Sequence, residues 1–290
     1  STMLKGIKVL SFTHFMQGPS AVQMLADTGA DVVKIERTTG AYERFWSGME
    51  TFKNGVSVFF LLANRNQKSL AVDLQTDEGR DLIYKMVKEA DVIVENYRPG
   101  TMDRLGFGYE KVRDINPRIV YCSCSGFGPD GPYAKKPGQD LLLQSLSGLM
   151  SLSGRKNDPP VPVGTAVVDQ HGAVLAAFGV VAALFNRERT GKGCRVESSL
   201  LNAALDLQAE SLGYFLNKGE MWDRGETGLA SRFHQAPYGV YQTKDGYLTV
   251  SNTPVEKLAD ILESEDLSRY TAKDQMLKRD EIDLIFSRIM

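Results

Sequence analysis

The sequence predicts an α/β protein whose larger part is built on a mostly parallel sheet and is followed by a smaller α+β part. Short runs rich in Val and Ile alternate with helix-type segments over the first 200 residues, which favours a parallel sheet with helices on both faces. Near Asn217 this alternation ends, and two strands joined by a Lys-Asp-Gly turn follow at 238–250. The chain is therefore expected to form more than one domain.

Apolar runs bounded by Gly, Pro, Asn or Asp mark the strands of the larger part. They are predicted at 7–12, 31–36, 68–74, 91–95, 119–125 and 194–198. Helices are predicted between them at 20–27, from 76 onward, and at 101–105, 109–115, 141–150, 173–186 and 200–216. Ligands of such sheets bind outside the carboxyl ends of the strands, where His14, Arg37, Asn96 and the Ser125-Gly126 pair are predicted to lie.

Composition and charge exclude several classes of protein. The net charge of −2 does not give the broad positive field of a nucleic-acid-binding protein. No uninterrupted apolar run is long enough for a membrane helix, and the first residues do not resemble a signal peptide, so a cytoplasmic protein is expected. The three cysteines fit neither a disulfide framework nor a zinc site. Cys122 and Cys124 are two residues apart in a predicted strand and should pack on one face of it.

Asp140 lies at the predicted start of a helix. Asp140 follows Pro137-Gly138-Gln139 and precedes the helix-type segment 141–150. An aspartate in this position is a candidate N-cap, whose carboxylate accepts hydrogen bonds from the first N–H groups of the helix. Taken alone, the local pattern favours this structural role over catalysis.

The wider pattern resembles a known family. The Pro-Gly-Gln-Asp segment followed by Gln144, Ser147 and Gly148 resembles the catalytic segment of the family III CoA-transferases, which include formyl-CoA transferase, carnitine CoA-transferase and the bile-acid-inducible protein F. The resemblance extends from about residue 4 to about residue 250. It implies a Rossmann-like large domain and transfer of CoA between an acyl-CoA and a free carboxylic acid. It also implies that Asp140 is the nucleophile and forms first a mixed anhydride and then an aspartyl-CoA thioester.

The same resemblance implies the residues that bind coenzyme A as substrate and carrier. They are His14, Gln17, Arg37, Lys68, Asn96, Tyr97, Arg104 and Gly126. Basic side chains and open N–H groups at helix starts suit the phosphates of coenzyme A. No NAD is expected because the Gly-x-Gly-x-x-Gly fingerprint is missing, and no metal is expected.

Two other functions stay open. An α-methylacyl-CoA racemase would share the fold and the CoA site, but such racemases carry His where this chain has Gln139. Asp169 matches the second acid/base group of the racemases, and both Gln139 and Asp169 are candidates for the substrate side of the site. The third possibility is a truncated CoA-binding protein without catalytic activity.

The resemblance also concerns domains and assembly. The sequence predicts a large CoA-binding domain at 1–200, a helix and linker at 201–225, and a partial small domain at 226–290. Family members continue beyond the position of Met290, so the chain is expected to be short at its C-terminus, and the small domain to be incomplete. Members of this family form interlocked dimers, and a homodimer is expected here.

Overall fold

The structure is a computed structural model that describes residues 2–228 and 231–290. It consists of two compact units, one formed by residues 1–143 and 165–207, the other by 144–164 and 208–290. These bounds differ from the division predicted at residues 200 and 225. Segment 144–164 belongs to the second unit because it forms hydrogen bonds with other residues of that unit. For example, the Gln208 side-chain amide donates to the Ser147 carbonyl over 3.2 Å. Such long-range contacts cannot be read from local sequence patterns.

The first unit contains a six-stranded sheet and a short hairpin. In chain order its strands are β1 (Lys8–Phe12), β2 (Asp31–Glu36), β3 (Phe52–Lys53), β4 (Val56–Ser57), β5 (Lys68–Ala71), β6 (Val92–Glu95), β7 (Val120–Ser125) and β8 (Cys194–Ser199). The six-stranded sheet has the order β5-β2-β1-β6-β7-β8, and all of its neighbouring pairs are parallel. The predicted α/β class and parallel sheet are confirmed, whereas the β3–β4 hairpin was not predicted.

The strand order reverses between β1 and β6. From β1 the chain proceeds outward to β2 and β5, then returns to β6 and proceeds to β7 and β8 on the other side. The connections that leave β1 and β6 therefore diverge, and a crevice opens at the carboxyl ends of these two strands. His14 follows β1 and Asn96 follows β6, so both residues lie at this switch point.

Among the described residues of the first unit, eight α-helices begin. They are α1 (Gln17–Asp27), α2 (Val58–Ala63), α3 (Asp77–Glu89), α4 (Thr101–Leu105), α5 (Tyr109–Ile115), α6 (Asp140–Leu146), α7 (Val167–Thr190) and α8 (Leu200–Asp206). Helices α1 and α7 cover one face of the sheet, and α3, α4 and α5 cover the other. Cys122 and Cys124 lie together on the first face with their sulfurs 4.0 Å apart, which confirms their predicted placement.

Helix α7 begins six residues before its predicted start and extends over 24 residues. Its buried side is made of small residues, among them Ala173 and Ala176, which allow close packing against the sheet and α1. By length and apolar composition alone it could cross a membrane, which a search for uninterrupted apolar runs does not reveal. In the most apolar 18-residue stretch of α7, 44% is buried. One side of the helix therefore faces the core, while Phe178 and Phe185 are exposed on the other side.

The second unit is an α+β assembly with its own core. It contains the hairpin β9 (Gly239–Gln242) and β10 (Tyr247–Val250), and the helices α9 (Ala209–Lys218), α10 (Val255–Ile261), α11 (Glu265–Ser268), α12 (Asp274–Leu277) and α13 (Arg279–Ile289). Tyr241, Ile282 and Phe286 lie in its core. The predicted helix at 200–216 is divided into α8 and α9.

A buried ion pair connects α7 to the amino end of the sheet. Arg187 is 3% exposed and donates to the Asp91 carboxylate over 2.8 Å, and the Lys8 backbone N–H donates to the other oxygen of that carboxylate over 2.8 Å. Helix α7 and strand β1 are thus both bonded to the Asp91 side chain.

Removing Asp91 should destabilise the protein strongly. We expect Asp91→Ala to lower the free energy of unfolding by about 3 kcal/mol, because it leaves the Arg187 guanidinium buried without its carboxylate. Urea unfolding followed by circular dichroism measures this. The matched control is Glu89→Ala, whose exposed pair with Lys8 should contribute less than about 1 kcal/mol. Equal losses from both variants would contradict the interpretation.

Candidate active site

At the switch point an asparagine side chain holds the loop that carries His14. The Asn96 side-chain oxygen accepts from the His14 backbone N–H over 2.8 Å, and its amide nitrogen donates to the His14 carbonyl over 2.8 Å. The His14 ring stacks on the Tyr97 ring, with centroids 5.3 Å apart and planes inclined by 13°. The structure therefore brings together three of the residues predicted to bind CoA.

Burial keeps this group of side chains uncharged. Burial lowers the pKa of His14, and the negative charge of Glu43 opposes that shift only in part. Burial likewise raises the pKa of Tyr97 to about 12. At neutral pH the site therefore offers an uncharged imidazole and a phenol. Phe15, which follows His14 in the chain, has a φ of 58°, a strained conformation for an aromatic residue.

Gln17, the first residue of α1, lies against the start of α7. A β-carbon added to Gly172 would be 2.9 Å from the Gln17 amide nitrogen, so a larger residue at position 172 would displace the Gln17 side chain. Gln17 is 5% exposed, and within residues 2–228 and 231–290 its amide nitrogen has no hydrogen-bond acceptor. Gln170 reaches the same loop, where its amide nitrogen is 3.1 Å from the Met16 sulfur.

Asp140 does not act only on its own helix. It is the first residue of α6, and one of its carboxylate oxygens accepts from the backbone N–H groups of Val168 over 2.7 Å and Asp169 over 2.9 Å. Both donors belong to the first turn of α7, where N–H groups have no partner within the helix and the helix dipole favours negative charge. The Asp140 carboxylate therefore caps α7, a role that its own flanking sequence does not reveal.

The second carboxyl group lies next to the first and differs from it in environment. Burial, and to a smaller degree the charge of Asp140, raises the pKa of Asp169 from 3.8 to about 7. In the described part of the chain, no group donates a hydrogen bond to the Asp169 carboxyl. A buried carboxyl group with a raised pKa beside a second carboxyl group is typical of catalytic sites.

Two glycines set the position of the segment that carries Asp140. A β-carbon on Gly126 would be 2.7 Å from the Gly138 α-carbon, so the turn after β7 and the loop before α6 touch through their backbones. The Gly126 carbonyl also accepts from the Leu201 N–H over 3.0 Å. Gln139, between Gly138 and Asp140, is exposed. The close contact between the backbones of Gly126 and Gly138 requires glycine at both positions.

The structure separates the basic residues predicted to bind CoA. Arg37 is exposed just after β2, at the same edge of the sheet as His14. Arg104 is exposed on α4 and donates to the Thr101 hydroxyl over 2.9 Å. Lys68 starts β5 at the amino edge of the sheet and bonds the Asp31 carboxylate over 2.7 Å. Lys68 is thus directed away from the other predicted residues.

A buried ionic network under the His14 loop was not predicted from the sequence. Lys34 is 2% exposed, donates to the Thr13 carbonyl over 2.7 Å and lies 3.5 Å from the fully buried Glu43. Beside it, Arg44 forms two hydrogen bonds to Glu36, of 2.5 and 2.6 Å. The signal was available, because Lys34 and Glu36 are charged residues two positions apart in a strand of a parallel sheet, which is normally apolar.

The described residues contain no group of three or more His, Cys, Asp and Glu side chains arranged to hold a metal ion. The polar groups in this part of the structure include the pair Asp140 and Asp169, the amides of Gln17 and Asn96, and the ring of His14.

The family model of CoA-transferase family III matches residues 4–289. The chain belongs to CoA-transferase family III. The family predicted from the Pro-Gly-Gln-Asp segment and the strand-end residues is therefore confirmed.

Relatives of this family III chain have named activities. It is 41% identical over 204 residues to the formyl-CoA:oxalate CoA-transferase of Streptomyces avermitilis, covering 70% of this chain and 49% of that protein. It is 33% identical over 277 residues to the human succinyl-CoA:glutarate CoA-transferase, covering 92% of this chain and 61% of that protein. The chain thus spans about half to three-fifths of the length of these relatives.

A solved structure confirms the fold. A CAIB/BAIF family protein from Brucella suis superposes with a TM-score of 0.84 and 31% sequence identity, covering 98% of this chain and 77% of that one. The α/β architecture with a parallel sheet is therefore that of the family.

The charge of Asp140 should contribute to the unusual titration of Asp169. We expect Asp140→Asn to lower the pKa of Asp169 while leaving it above 3.8, because burial remains. The wild-type pKa is higher in the folded than in the unfolded chain, so stability is lost as the pH rises from about 4 to about 7, and the variant should lose less. Carbon-13 NMR titration of the carboxyl groups measures the shift. Asp77→Asn, at an exposed site, is the control, and an unchanged Asp169 titration in Asp140→Asn would contradict this coupling.

Proposed function

We propose that the protein transfers coenzyme A between an acyl-CoA and a free carboxylic acid at the carboxyl edge of the sheet of its first unit. The observation that carries this proposal is the pair of carboxyl groups, Asp140 and Asp169, at the start of α7. Membership in CoA-transferase family III supports acyl-CoA as one substrate. The relatives named after oxalate and glutarate support a carboxylic acid as the other.

Within this pair, the geometry favours Asp169 as the nucleophile over the Asp140 predicted from sequence. One Asp140 oxygen already accepts two backbone hydrogen bonds, which withdraw its lone pairs from reaction. Asp169 receives no such bonds in the described residues, and its raised pKa makes its ionised form a more basic nucleophile. Asp140 then serves as a positioning residue that fixes the backbone of Asp169.

The proposed reaction needs only one nucleophile. The Asp169 carboxylate attacks the thioester carbonyl, the carbon–sulfur bond breaks, and a mixed anhydride and CoA thiolate form. The thiolate attacks the aspartyl carbon of the anhydride, which releases the first acid and leaves an aspartyl-CoA thioester. The incoming carboxylate attacks that thioester to form a second anhydride and releases the thiolate. The thiolate finally attacks the acyl carbon of this anhydride, which yields the new acyl-CoA and regenerates the Asp169 carboxylate.

Other predicted residues support these steps in different ways. In the described residues the Gln17 amide nitrogen has no acceptor. It lies against Gly172, one helical turn after Asp169, and could donate to the oxyanion. His14, Asn96, Tyr97 and Gly126 shape the switch point, and the exposed Arg37 and Arg104 could bind phosphates. Lys68 is left out of the proposed site because it lies at the amino edge of the sheet.

The racemase alternative makes a different demand on the site. It needs two acid/base groups on opposite sides of the substrate α-carbon. The exposed Gln139 cannot exchange a proton, and Asp140 is tied to the start of α7, so Asp169 alone is available for that work. The site therefore suits nucleophilic attack better than two-base proton exchange.

A single experiment separates these functions. The protein is incubated with a panel of acyl-CoAs in deuterated water, quenched, and analysed by mass spectrometry of its peptides and of the recovered acyl-CoA. We expect an acyl-sized or CoA-sized adduct on the Asp169 peptide. We also expect Asp169→Asn to reduce CoA exchange by roughly 10³-fold or more, because the covalent route is lost.

Asp140→Asn is the matched variant, since it keeps an oxygen that can accept from α7 and should retain the Asp169 adduct at a lower rate. An adduct on Asp140 that persists in Asp169→Asn would restore the assignment made from sequence. Deuterium at the α-carbon without any adduct would establish racemase chemistry and refute the transferase. Binding of CoA with neither outcome would identify a non-catalytic CoA-binding protein.

A homodimer and a cytoplasmic location are part of the same proposal, and the location stays a prediction from the sequence. Support for the dimer comes from α7, where four apolar residues at helical spacing form one exposed row. They are Val174, Phe178, Val181 and Phe185. A continuous apolar row of this kind is typical of a helix face that packs against another subunit.

Charges placed in this row should prevent dimer formation. We expect the wild-type protein to sediment as a dimer at micromolar concentration, and Phe178→Glu with Phe185→Glu to sediment as a monomer with unchanged circular dichroism. Analytical ultracentrifugation measures both masses. Leu216→Glu, at an exposed apolar position on α9, is the control. A monomeric wild type, or a dimer that the double substitution leaves intact, would contradict the proposal.

A further inference from the structure

Glu43 is a fully buried carboxylate that the proposed reaction does not use. It lies in a 3-10 turn, Tyr42–Arg44, and in the described residues neither of its oxygens has a donor with hydrogen-bond geometry. The ammonium of Lys34, itself 2% exposed, is 3.5 Å away, longer than the roughly 2.8 Å of a charge-assisted hydrogen bond. Two buried charges without short hydrogen bonds are poorly repaid for the loss of water. Stability alone is therefore a poor explanation for this pair.

The Lys34 ammonium holds the backbone of the loop that carries His14. It donates to the Thr13 carbonyl over 2.7 Å, and the His14 N–H of the same peptide bond donates to the Asn96 side chain over 2.8 Å. The Thr13 hydroxyl lies 2.8 Å from the Ser11 hydroxyl. Both polar groups of the Thr13–His14 peptide are thus held by side chains, one from β2 and one from the residue after β6.

The 3-10 turn is itself fixed to β2. The Ala41 N–H and the Arg44 guanidinium both donate to the Glu36 carboxylate, over 2.8 and 2.6 Å. The Tyr42 ring of the turn packs against the Phe15 ring of the loop, with centroids 5.9 Å apart. The turn therefore contacts the loop directly as well as through its buried ion pair.

Four charged side chains act on the His14 ring, which also stacks on the Tyr97 ring. They are Glu43 of the turn, Lys34 of β2, Arg37 after β2 and Arg98 after β6. Burial lowers the pKa of His14, Glu43 opposes that shift, and the three cations add to it. Glu43 is therefore the one member of this set that favours the protonated ring.

From these contacts we infer that Lys34 and Glu43 are positioning residues, which hold the Thr13–His14 peptide for acyl-CoA and set the charge on the His14 ring. Lys34 acts through the Thr13 carbonyl, and Glu43 acts through Lys34 and through its charge on His14. The inference rests on the proposed function, because it takes acyl-CoA to bind beside His14.

Nitrogen-15 NMR titration of the histidine rings tests the charge effect without acyl-CoA. The chain has three histidines, and His14→Asn identifies the signal. We expect Glu43→Gln to lower the pKa of His14 and Lys34→Met to raise it, because the two variants remove opposite charges. A loosened loop would instead expose the ring and raise the pKa in both variants. An unchanged or raised pKa of His14 in Glu43→Gln would overturn the inference.

Calorimetric titration with CoA, together with the rate of adduct formation at saturating acyl-CoA, tests the positioning effect. We expect Lys34→Met to weaken CoA at least tenfold and to change the adduct rate less than threefold, because Asp169 is not displaced. Adding Glu43→Gln to Lys34→Met should recover at least threefold of the lost affinity, because it removes a carboxylate left buried without a cation. Lys88→Met, at an exposed position on α3, is the control and should leave the affinity unchanged.

Circular dichroism shows whether each variant is folded. If Lys34→Met does not fold, comparison of the double variant with Glu43→Gln isolates the effect of Lys34 without an unpaired buried charge. An unchanged CoA affinity, or an adduct rate that falls as far as the affinity, would overturn the inference. A wild type that binds CoA and forms no adduct would refute the proposed transfer, while the titration and the affinities would still support or overturn the positioning roles.

Discussion

Two hydrogen bonds organise the candidate active site of this protein, those from the backbone N–H groups of Val168 and Asp169 to the Asp140 carboxylate. The first turn of any helix presents N–H groups without partners, and here a side chain from a separate segment satisfies two of them. The start of α7 is thereby fixed where the turn after β7 meets the loop before α6, through the contact of Gly126 with Gly138. The same bonds place the Asp169 carboxyl beside a fixed negative charge.

The molecule uses buried charge in two different ways at this edge of the sheet. Under the His14 loop, Lys34 and Arg44 compensate Glu43 and Glu36, so the network supports the loop. At Asp169 no such compensation is present in the described residues, and burial raises the pKa of the carboxyl group to about 7. Compensated charges stabilise a position, whereas an uncompensated one retains the capacity to react.

Much of the fold follows from local sequence, and less of the site does. The strands β2 and β6 follow from short apolar runs, and the family from the residues at their ends, because these signals are local. The role of Asp140 could not be predicted in this way, since its partners are 28 and 29 residues away. Lys68 lies apart from the other predicted residues for a simpler reason. It is the first residue of β5, and the first residues of parallel strands lie at the opposite edge of the sheet from those that follow the strands.

Helix α7 is held at both ends by ionic groups, by Asp140 at its start and by Asp91 at Arg187 near its end. Over 24 residues it spans about 36 Å, which exceeds the roughly 20 Å length of the longest strands in the sheet. Because both ends of the helix are held, an axial displacement of the end at Arg187 would also displace the Asp169 carboxyl group at the other end. We therefore expect sequence changes among relatives to accumulate in the loops around the crevice, while the axial position of this helix is retained.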